Sequence, residues 1–364
     1  MDFTSLGVPE PLAAALAARG ITEPTEIQRE VIPAACTGEN LIGEAPTGTG
    51  KTLAYLLPAL MRIDPAVRAA QVLVLAPTHE LAMQIAGVAR DLIQAAGLSV
   101  GVQALIGGAN VQRQIDALKK KPALIVGSAP RIVELHRLRK LKLQEVRLCV
   151  LDEFDRLLDK QHSAEVRAVL HLLPRERQML LLSATAAAAA VHAAEELCAL
   201  RIIRAAVQET TCENYYHIVP FRDKIKAVQK LTRRLPIRRG LVFVGRSFDA
   251  EKAAEKLQYE GIRVAALLGG ERRDQRRAAL NAIRTGRVQL LLSTDLAARG
   301  LDIADVDYVV QVDLPEDVRT YRHRAGRTAR AGKEGTVISL VDAKEVERLK
   351  ALAVRMKLDL KKIN

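Results

Sequence analysis

Short hydrophobic runs rich in β-branched residues alternate with longer segments of helical spacing along the chain. In the first part the predicted strands are Asn40–Gly43, Gln71–Ala76, Val100–Leu105, Ala123–Gly127, Val146–Leu151 and Gln178–Leu182. In the second part they are Tyr215–Pro220, Gly240–Val244, Arg263–Leu267, Gln289–Ser293, Tyr308–Val312 and Gly335–Leu340. Predicted helices between them include Leu53–Arg62, His79–Ala96 and Ser247–Tyr259. This alternation predicts parallel sheets with helices on both faces.

The strands and helices form two series without a sequence repeat between them, which predicts two α/β domains. The polar stretch Ala205–Glu213 separates the series, so we expect domains at residues 1–207 and 208–364. The alanine run Ala186–Ala190 is expected to begin a helix, because alanine is the best helix former. No additional tail or third domain is expected.

The composition excludes several classes of protein. The chain has 364 residues, of which 49% are hydrophobic, so it is long enough for two full cores and is not a disordered protein. It contains no apolar stretch of about 18 residues and no leader-like start, which predicts a cytoplasmic protein without a membrane segment. Its four cysteines are far apart, which indicates reduced thiols rather than a metal site.

The positive charge lies almost entirely in the second part of the chain. Residues 1–210 carry 23 Lys/Arg and 22 Asp/Glu, whereas residues 211–364 carry 32 and 20, a net charge of +12. A polyanion such as nucleic acid is one partner that fits, because each neutralised phosphate releases counterions. A solvated basic face that aids solubility fits equally well, and the charge alone leaves both interpretations open.

Residues Ala45 to Thr52, with the sequence A-P-T-G-T-G-K-T, predict a loop that binds phosphate groups. Gly48 and Gly50 allow the backbone N–H groups to approach an anion at the start of a helix. Lys51 supplies a charge for the β- and γ-phosphates, and the Thr52 hydroxyl can bind Mg²⁺. A glycine-rich turn before an ordinary helix is the alternative.

A cluster of carboxylates follows the hydrophobic run Val146–Leu151. At the carboxyl edge of a sheet, Asp152 would bind Mg²⁺ and Glu153 would orient or deprotonate an attacking water. Taken alone, such a cluster is more often a helix cap or a solvated turn. Ser183 and Thr185, which follow the next predicted strand, could connect to the acidic residues or serve as helix caps.

The segment His323–Arg330 places arginines at 324, 327 and 330. On a helix this spacing forms one face, and a row of guanidinium groups suits the charge that develops on a γ-phosphate. A basic helix that contacts RNA phosphates, or a plain surface, is the alternative. Ser293–Asp295 and Arg299–Asp302 again follow directly after a predicted strand.

Taken together, these motifs resemble those of the DEAD-box ATP-dependent RNA helicases of superfamily 2, in order and spacing, from Phe3 to about Val354. The segments that carry the resemblance are Phe3, Gly20 and Pro24–Gln28 (Q motif), Ala45–Thr52 (I), Pro77–Ala82 (Ia), Gly107–Gly108 (GG), Ser128–Arg131 (Ib), Asp152–Asp155 (II), Ser183–Thr185 (III), Leu241–Ser247 (IV), Ser293–Asp302 (V) and His323–Arg330 (VI). The resemblance implies two tandem RecA-like α/β domains, each a mainly parallel sheet with helices on both faces.

The resemblance also implies a role for each matching residue. Catalysis would involve Lys51, Asp152, Glu153, Arg327 and Arg330, and Mg²⁺ would be bound by Thr52 and Asp152. ATP would be bound by Gln28 (at the adenine), Ala45, Thr47, Gly48, Thr49, Gly50, Lys51, Thr52 and Asp302 (at the ribose). RNA would be contacted, mainly at its backbone, by Thr78, Gly108, Arg131, Arg246, Thr294 and Gly300.

The implied activity is RNA-stimulated ATP hydrolysis coupled to local separation of RNA duplexes by a monomer. An ATP-gated RNA clamp or RNA chaperone with little unwinding is the alternative, and the Q motif disfavours a DNA helicase. The clamp is suggested by three departures from the family pattern: Ile21 for an aromatic residue, His79 for Arg and Phe154 for a small residue. Ala329 also departs, since it replaces a Gly in motif VI. Arg273 for Gln and the Ser128–Arg131 variant of motif Ib depart as well.

Overall fold

The hydrophobic runs form two sheets, one in each of two units of the chain, Met1–Val207 and Gln208–Asn364. A computed structural model describes residues 1–46, 48–205, 212–245, 249–267, 273–295, 306–329 and 334–363. Every pairing between the described strands is parallel. Parallel pairing brings the carboxyl ends of the strands, and the loops that follow them, to one edge of each sheet.

The sheet of the first unit has seven strands in the order β3-β4-β2-β5-β6-β1-β7. They are β1 Leu41–Glu44, β2 Val72–Leu75, β3 Val102–Leu105, β4 Leu124–Gly127, β5 Leu148–Asp152, β6 Gln178–Ser183 and β7 Arg201–Arg204. The helices are α1 Glu10–Ala17, α2 Glu26–Cys36, α3 Lys51–Met61, α4 His79–Ala95, α5 Val111–Leu118, α6 Ala129–Arg137, α7 Phe154–Leu157, α8 Ser163–Leu172 and α9 Ala188–Glu195.

Hydrophobic side chains cover both faces of this sheet, because successive residues of a strand point to opposite sides. Leu41, Val72 and Leu180 pack in one core with α1 to α4. The next residue of each strand, Ile42, Leu73 or Leu181, packs in a second core with α6 to α9. The predicted parallel sheet with helices on both faces is therefore confirmed for this unit.

The second unit repeats this architecture with the strand order β10-β11-β9-β12-β13-β8-β14. The strands are β8 Cys212–Ile218, β9 Gly240–Phe243, β10 Val264–Leu267, β11 Leu290–Ser293, β12 Tyr308–Gln311, β13 Gly335–Val341 and β14 Leu360–Lys362. The described helices are α10 Lys224–Arg234, α11 Ala250–Tyr259, α12 Arg273–Arg284, α13 Val318–Ala325 and α14 Val346–Met356. Two cores again lie on the two faces of the sheet.

Two strands were missed by the sequence analysis, and both lie at sheet edges. β7 has the sequence R-I-I-R and β14 has L-K-K, so their charged residues hide the alternation that marks a strand. Cys212 and Glu213, which we assigned to the polar stretch between the domains, instead begin β8. No described helix is long and apolar enough to cross a membrane.

The last turn of α14 generates a stability prediction. Lys357 follows the helix with φ of 56°, in the left-handed region, and its side chain is exposed. Because glycine adopts this conformation without a Cβ clash, Lys357→Gly should raise the free energy of unfolding by about 1 kcal/mol. Urea denaturation of the full chain measures the change.

Ala278→Gly, at an exposed position inside α12, is the control and should lower the free energy of unfolding by about 1 kcal/mol. A loss of stability in Lys357→Gly would contradict the prediction.

Candidate active site and nucleic-acid interface

The loop between β1 and α3 has the backbone geometry of an anion-binding turn. Gly48 and Gly50 both have φ of 85°, a conformation that favours glycine. The Lys51 ammonium donates to the carbonyls of Ala45 and, at 2.8 Å, Pro46. The Thr49 hydroxyl donates to the same Pro46 carbonyl at 2.7 Å. Lys51 thus lies over the loop at the first residue of α3, while Thr47 lies outside the described residues.

The side chain of Gln28 holds the other side of this loop. It is 1% exposed, and its amide nitrogen donates to the Gly50 carbonyl at 2.9 Å while its oxygen accepts from the Thr25 N–H at 2.9 Å. A Cβ at position 50 would lie 2.2 Å from the Gln28 amide nitrogen, so glycine is required there. The Thr25 hydroxyl donates to the Thr49 carbonyl at 2.7 Å. The structure therefore places Gln28 against the phosphate loop, and its contact with adenine stays a prediction.

A buried hydrogen bond connects the loop helix to the acidic motif. The Tyr55 hydroxyl, one turn into α3, donates to Asp152 Oδ2 at 2.8 Å, and the Glu153 N–H donates to Oδ1 at 3.0 Å. Burial, and next the nearby Glu153 charge, raise the pKa of Asp152 to about 6. The Tyr55 hydrogen bond and the Lys51 charge oppose this rise. Sequence reasoning missed Tyr55, because its position in the helical pattern marks it as an ordinary core residue.

Glu153 is held in a strained conformation at the start of α7. Its φ of 53° is in the left-handed region, which costs a non-glycine residue about 1–3 kcal/mol. Its carboxylate accepts from the nearly buried Arg156 at 3.1 Å. Glu153 occupies the N-cap position of α7, but its side chain makes no capping hydrogen bond. Its role in hydrolysis stays a prediction.

Motif III begins at Ser183, the last residue of β6, which lies between β5 and β1, and it connects to the acidic motif. The Thr185 hydroxyl contacts the buried Asp155 carboxylate at 3.4 Å, and the Ser183 hydroxyl donates to the Thr185 carbonyl at 2.8 Å. Neither residue caps α9, whose N-cap is Ala187. Phe154 is fully buried in the core that contains α6 to α9, so its ring is part of the hydrophobic packing on that face of the sheet.

Three predicted RNA-binding segments of the first unit meet at one cavity of about 300 Å³. Residues of motifs Ia, GG and Ib line it, among them Pro77, His79, Gly107, Ser128 and Arg131. Arg131 is 7% exposed, its Nε lies 3.0 Å from Glu134 Oε2, and its buried Nη1 has no hydrogen-bond partner among the described residues. A buried guanidinium nitrogen without a partner is costly, which fits a site for an anion.

The two other candidates in this region have local roles. The Thr78 hydroxyl accepts from the Leu81 N–H at 3.2 Å and thereby caps α4. Gly108 has φ of 65°, next to Gly107, at which a Cβ would lie 3.1 Å from the His79 ring. A side chain at position 107 would therefore crowd the His79 ring, while at Gly108 it is the positive φ that favours glycine.

Arg324 fixes the carboxyl edge of the second sheet. It is 4% exposed and binds Asp295 through two hydrogen bonds of 2.6 and 2.7 Å. Its Nη1 donates to the Asp313 carbonyl at 2.6 Å, and its guanidinium lies 4.9 Å from the centre of the Phe243 ring. The chain thus joins motifs IV, V and VI through one side chain.

The expectation that arginines 324, 327 and 330 share one helical face is wrong for the described pair. Helix α13 ends at Ala325, so Arg324 belongs to its last turn and the half-buried Arg327 lies in the turn beyond it. Gly326 follows the last residue of the helix. Beyond it, the Thr328 hydroxyl donates to the Val306 carbonyl at 2.6 Å. Ala329, where the family pattern has glycine, has φ of 53°, which costs about 1 kcal/mol.

Thr294 follows β11, and its carbonyl accepts from the Ser293 hydroxyl at 3.2 Å. Four further candidates, Arg246, Gly300, Asp302 and Arg330, lie outside the described residues.

Comparison with known proteins decides the family. Residues 25–193 match the DEAD/DEAH box helicase model, and residues 223–332 match the helicase conserved C-terminal domain model. The chain is 41% identical over 343 residues to the DEAD-box ATP-dependent RNA helicase CshC of Bacillus cereus, covering 93% of this chain and 87% of that protein. The chain belongs to the DEAD-box ATP-dependent RNA helicase family.

Other members of the DEAD-box family agree in sequence and fold. The probable ATP-dependent RNA helicase YfmL of Bacillus subtilis is 40% identical over 347 residues, covering 94% of this chain and 91% of that protein. S. cerevisiae Dbp5, in a structure bound to RNA and ADP BeF3, is 28% identical in sequence to this chain. The two structures superpose with a TM-score of 0.90, and the match covers 100% of this chain and 95% of that one. The tandem RecA-like fold expected for a DEAD-box protein is thereby confirmed.

The Tyr55–Asp152 hydrogen bond generates a pH prediction. This bond lowers the pKa of Asp152, so Tyr55→Phe should raise that pKa above about 6. Because Asp152 must be deprotonated to bind the Mg²⁺ that the family resemblance implies, the acid limb of the ATPase pH profile should move to higher pH. Stability should fall by about 1–2 kcal/mol at neutral pH.

The pH profile of ATP hydrolysis, measured with RNA and Mg²⁺ present, tests this shift. Tyr259→Phe is the matched control, because the Tyr259 side chain is 92% exposed and removal of its hydroxyl should leave the profile unchanged. An acid limb at the same pH in Tyr55→Phe and wild type would show that the bond does not tune Asp152.

Proposed function

We propose that this DEAD-box protein is an ATP-dependent RNA helicase, in which RNA-stimulated ATP hydrolysis drives local separation of RNA duplexes. The observation that carries this proposal is the buried Tyr55–Asp152 hydrogen bond of 2.8 Å. It holds the helix that follows the phosphate loop against the first carboxylate of motif II. The names of its relatives, ATP-dependent RNA helicases at 41% and 40% identity, support the same activity.

The proposed nucleotide site uses the phosphate loop together with Mg²⁺. Lys51 and the loop N–H groups would bind the phosphates of ATP, and the Thr52 hydroxyl and Asp152 carboxylate supply the hard oxygen ligands that Mg²⁺ prefers. No group of three or more His, Cys, Asp or Glu side chains able to hold a metal occurs within the described segments. Phosphate and water oxygens would therefore complete the coordination, as is usual for Mg²⁺ at a triphosphate. The ion would neutralise charge on the phosphates during hydrolysis.

The proposed chemical step depends on Glu153 and on the arginines of motif VI. Glu153, whose carboxylate accepts from Arg156 at 3.1 Å, would orient or deprotonate the attacking water. Arg327 and Arg330 would stabilise the charge on the γ-phosphate, and Asp302 would contact the ribose. These last roles rest on family resemblance, as does the adenine contact of Gln28.

RNA is proposed to bind at the cavity of the first unit and at motifs IV and V of the second. Arg131 carries the proposal for the first unit, because its buried Nη1 has no hydrogen-bond partner among the described residues. Thr78 and Gly108 flank this cavity, and Arg246, Thr294 and Gly300 would contact the strand from domain 208–364. We further propose that the protein acts as a monomer in the cytoplasm, with domains at residues 1–207 and 208–364.

The ATPase activity tests the proposal directly. Turnover of ATP should rise when single-stranded or structured RNA is added, and less when DNA of equal sequence is added. Lys51→Ala and Glu153→Gln should reduce RNA-stimulated turnover by at least about 10²-fold, because each removes a group that acts on the transition state. Glu153→Gln should retain ATP and RNA binding.

ATP hydrolysis that ignores RNA would overturn the proposed function. A duplex-unwinding assay separates the helicase from the clamp considered above: a clamp would bind RNA in the presence of ATP without separating the strands.

Arg131 generates a separate prediction for RNA binding. Arg131→Gln should raise the RNA concentration that half-saturates ATPase stimulation by about tenfold, since a charge-assisted hydrogen bond contributes about 1.5–3 kcal/mol. Basal ATPase without RNA should be unchanged. Arg137→Gln, at an exposed position of the same helix α6, is the control and should behave like wild type. An unchanged half-saturating RNA concentration in Arg131→Gln would remove the cavity from the RNA site.

A further inference from the structure

More than half of the net positive charge of residues 211–364 lies in one short segment outside the helicase motifs. Residues 222–239, which include α10, contain eight Lys or Arg and one Asp, against a net charge of +12 for residues 211–364. Helix α10 itself contains five basic residues and no acidic residue. This segment precedes motif IV and is not used by the proposed ATPase or RNA contacts.

Helix α10 divides its residues sharply between core and solvent. Ile225, Val228 and Leu231 are buried against the sheet. Lys226, Lys230 and Arg234 are exposed and occur at i, i+4 and i+8, so they lie on one side of the helix about 6 Å apart along its axis. The exposed face is therefore a regular row of positive charges.

The charges of this row are not neutralised within the described part of the chain. Lys226, Lys230 and Arg234 have no ion pair with a described residue, whereas other basic residues of the segment do. Arg233 pairs at 3.5 Å with Glu260, which directly follows α11, and the fully buried Lys224 pairs with Glu345 at 2.7 Å. The row thus differs from a salt-bridged surface and fits a partner that brings its own negative charges.

The row begins beside the motif edge of the sheet. In the first turn of α10, the Lys224 ammonium donates to the Val312 carbonyl at 2.9 Å. The next residue, Asp313, accepts from Arg324 of motif VI at 2.6 Å. From this point the 11 residues of α10 extend about 16 Å away from the motifs. A chain bound at the motif edge can continue along this row.

We propose that the basic row formed by Lys226, Lys230 and Arg234 is an auxiliary RNA-binding surface that contacts the phosphate backbone beyond the helicase motifs. This inference rests on the proposed function, because it extends the same RNA path. Contacts between lysine or arginine and phosphate carry no base specificity, and each released counterion makes the affinity depend on salt. The surface would therefore strengthen binding to long or structured RNA without selecting a sequence.

The experiment compares two variants of the full chain with equal loss of charge. Lys226→Gln, Lys230→Gln and Arg234→Gln are combined to remove the row. The matched control combines Lys344→Gln, Arg355→Gln and Lys362→Gln, which are exposed and have no ion pair with a described residue in the same unit. Fluorescence anisotropy with a labelled structured RNA measures affinity over a KCl series, and ATPase assays measure the half-saturating RNA concentration.

Removal of the row should weaken RNA binding by on the order of tenfold and reduce the slope of log affinity against log salt by about 2, or about 0.7 for each lost contact. ATPase turnover at saturating RNA should stay at the wild-type rate. The control variant should match wild type in slope and affinity.

Two outcomes would overturn the inference: a row variant that binds RNA like wild type, or a control variant that loses as much affinity as the row variant. The first outcome would show that the row does not contact RNA. The second would show that RNA affinity depends on the net charge of the protein and not on the position of the row. Failure of the proposed function differs from both, because it would remove RNA stimulation from the wild-type ATPase itself.

Discussion

The hydrogen bond between the Tyr55 hydroxyl and Asp152 is the interaction on which the candidate site depends. It connects a residue of α3 to the last residue of β5, and in the sheet β6 separates β5 from β1, the strand that precedes the phosphate loop. Because both groups are buried, loss of the hydroxyl would leave a carboxylate without its partner in a poorly solvated place. The same bond opposes the rise in the pKa of Asp152 that burial and Glu153 produce. It therefore sets both the position and the charge of the proposed metal ligand.

In the second unit, the buried charged side chain of Arg324 likewise depends on hydrogen-bond partners from several elements. A guanidinium that is 4% exposed is costly to bury unless its donors are satisfied, and here Asp295, Gln311 and the Asp313 carbonyl accept from it. One side chain thus fixes the loop after β11, the end of β12 and the last turn of α13. In motif VI, the first arginine holds the edge together, which separates its role from the one proposed for Arg327 and Arg330.

The central strands and most motif positions could be predicted from the sequence, because buried parallel strands are continuous hydrophobic runs followed by loops. The edge strands β7 and β14 could not, since their charged residues remove that signal. The partner of Asp152 was equally hidden, because nothing in a helical pattern distinguishes a tyrosine that packs from one that also donates a hydrogen bond. The predicted arginine face failed at Gly326, where the backbone ends the helix after Ala325. Spacing predicts a shared face only where the helix continues.

The charge of the second unit shows why a net value leaves function open. Within one 18-residue segment, Lys224 is buried and donates to a carbonyl, and Arg233 pairs with Glu260. Lys226, Lys230 and Arg234 are exposed and form no ion pair with a described residue. The first two are structural, and their charges are compensated inside the fold. The exposed row is different, because like charges about 6 Å apart repel each other and gain most from a polyanion. Helix α10 contains no acidic residue, whereas a surface that serves only solubility can have mixed charges. The row therefore favours a nucleic-acid partner over a role in solubility.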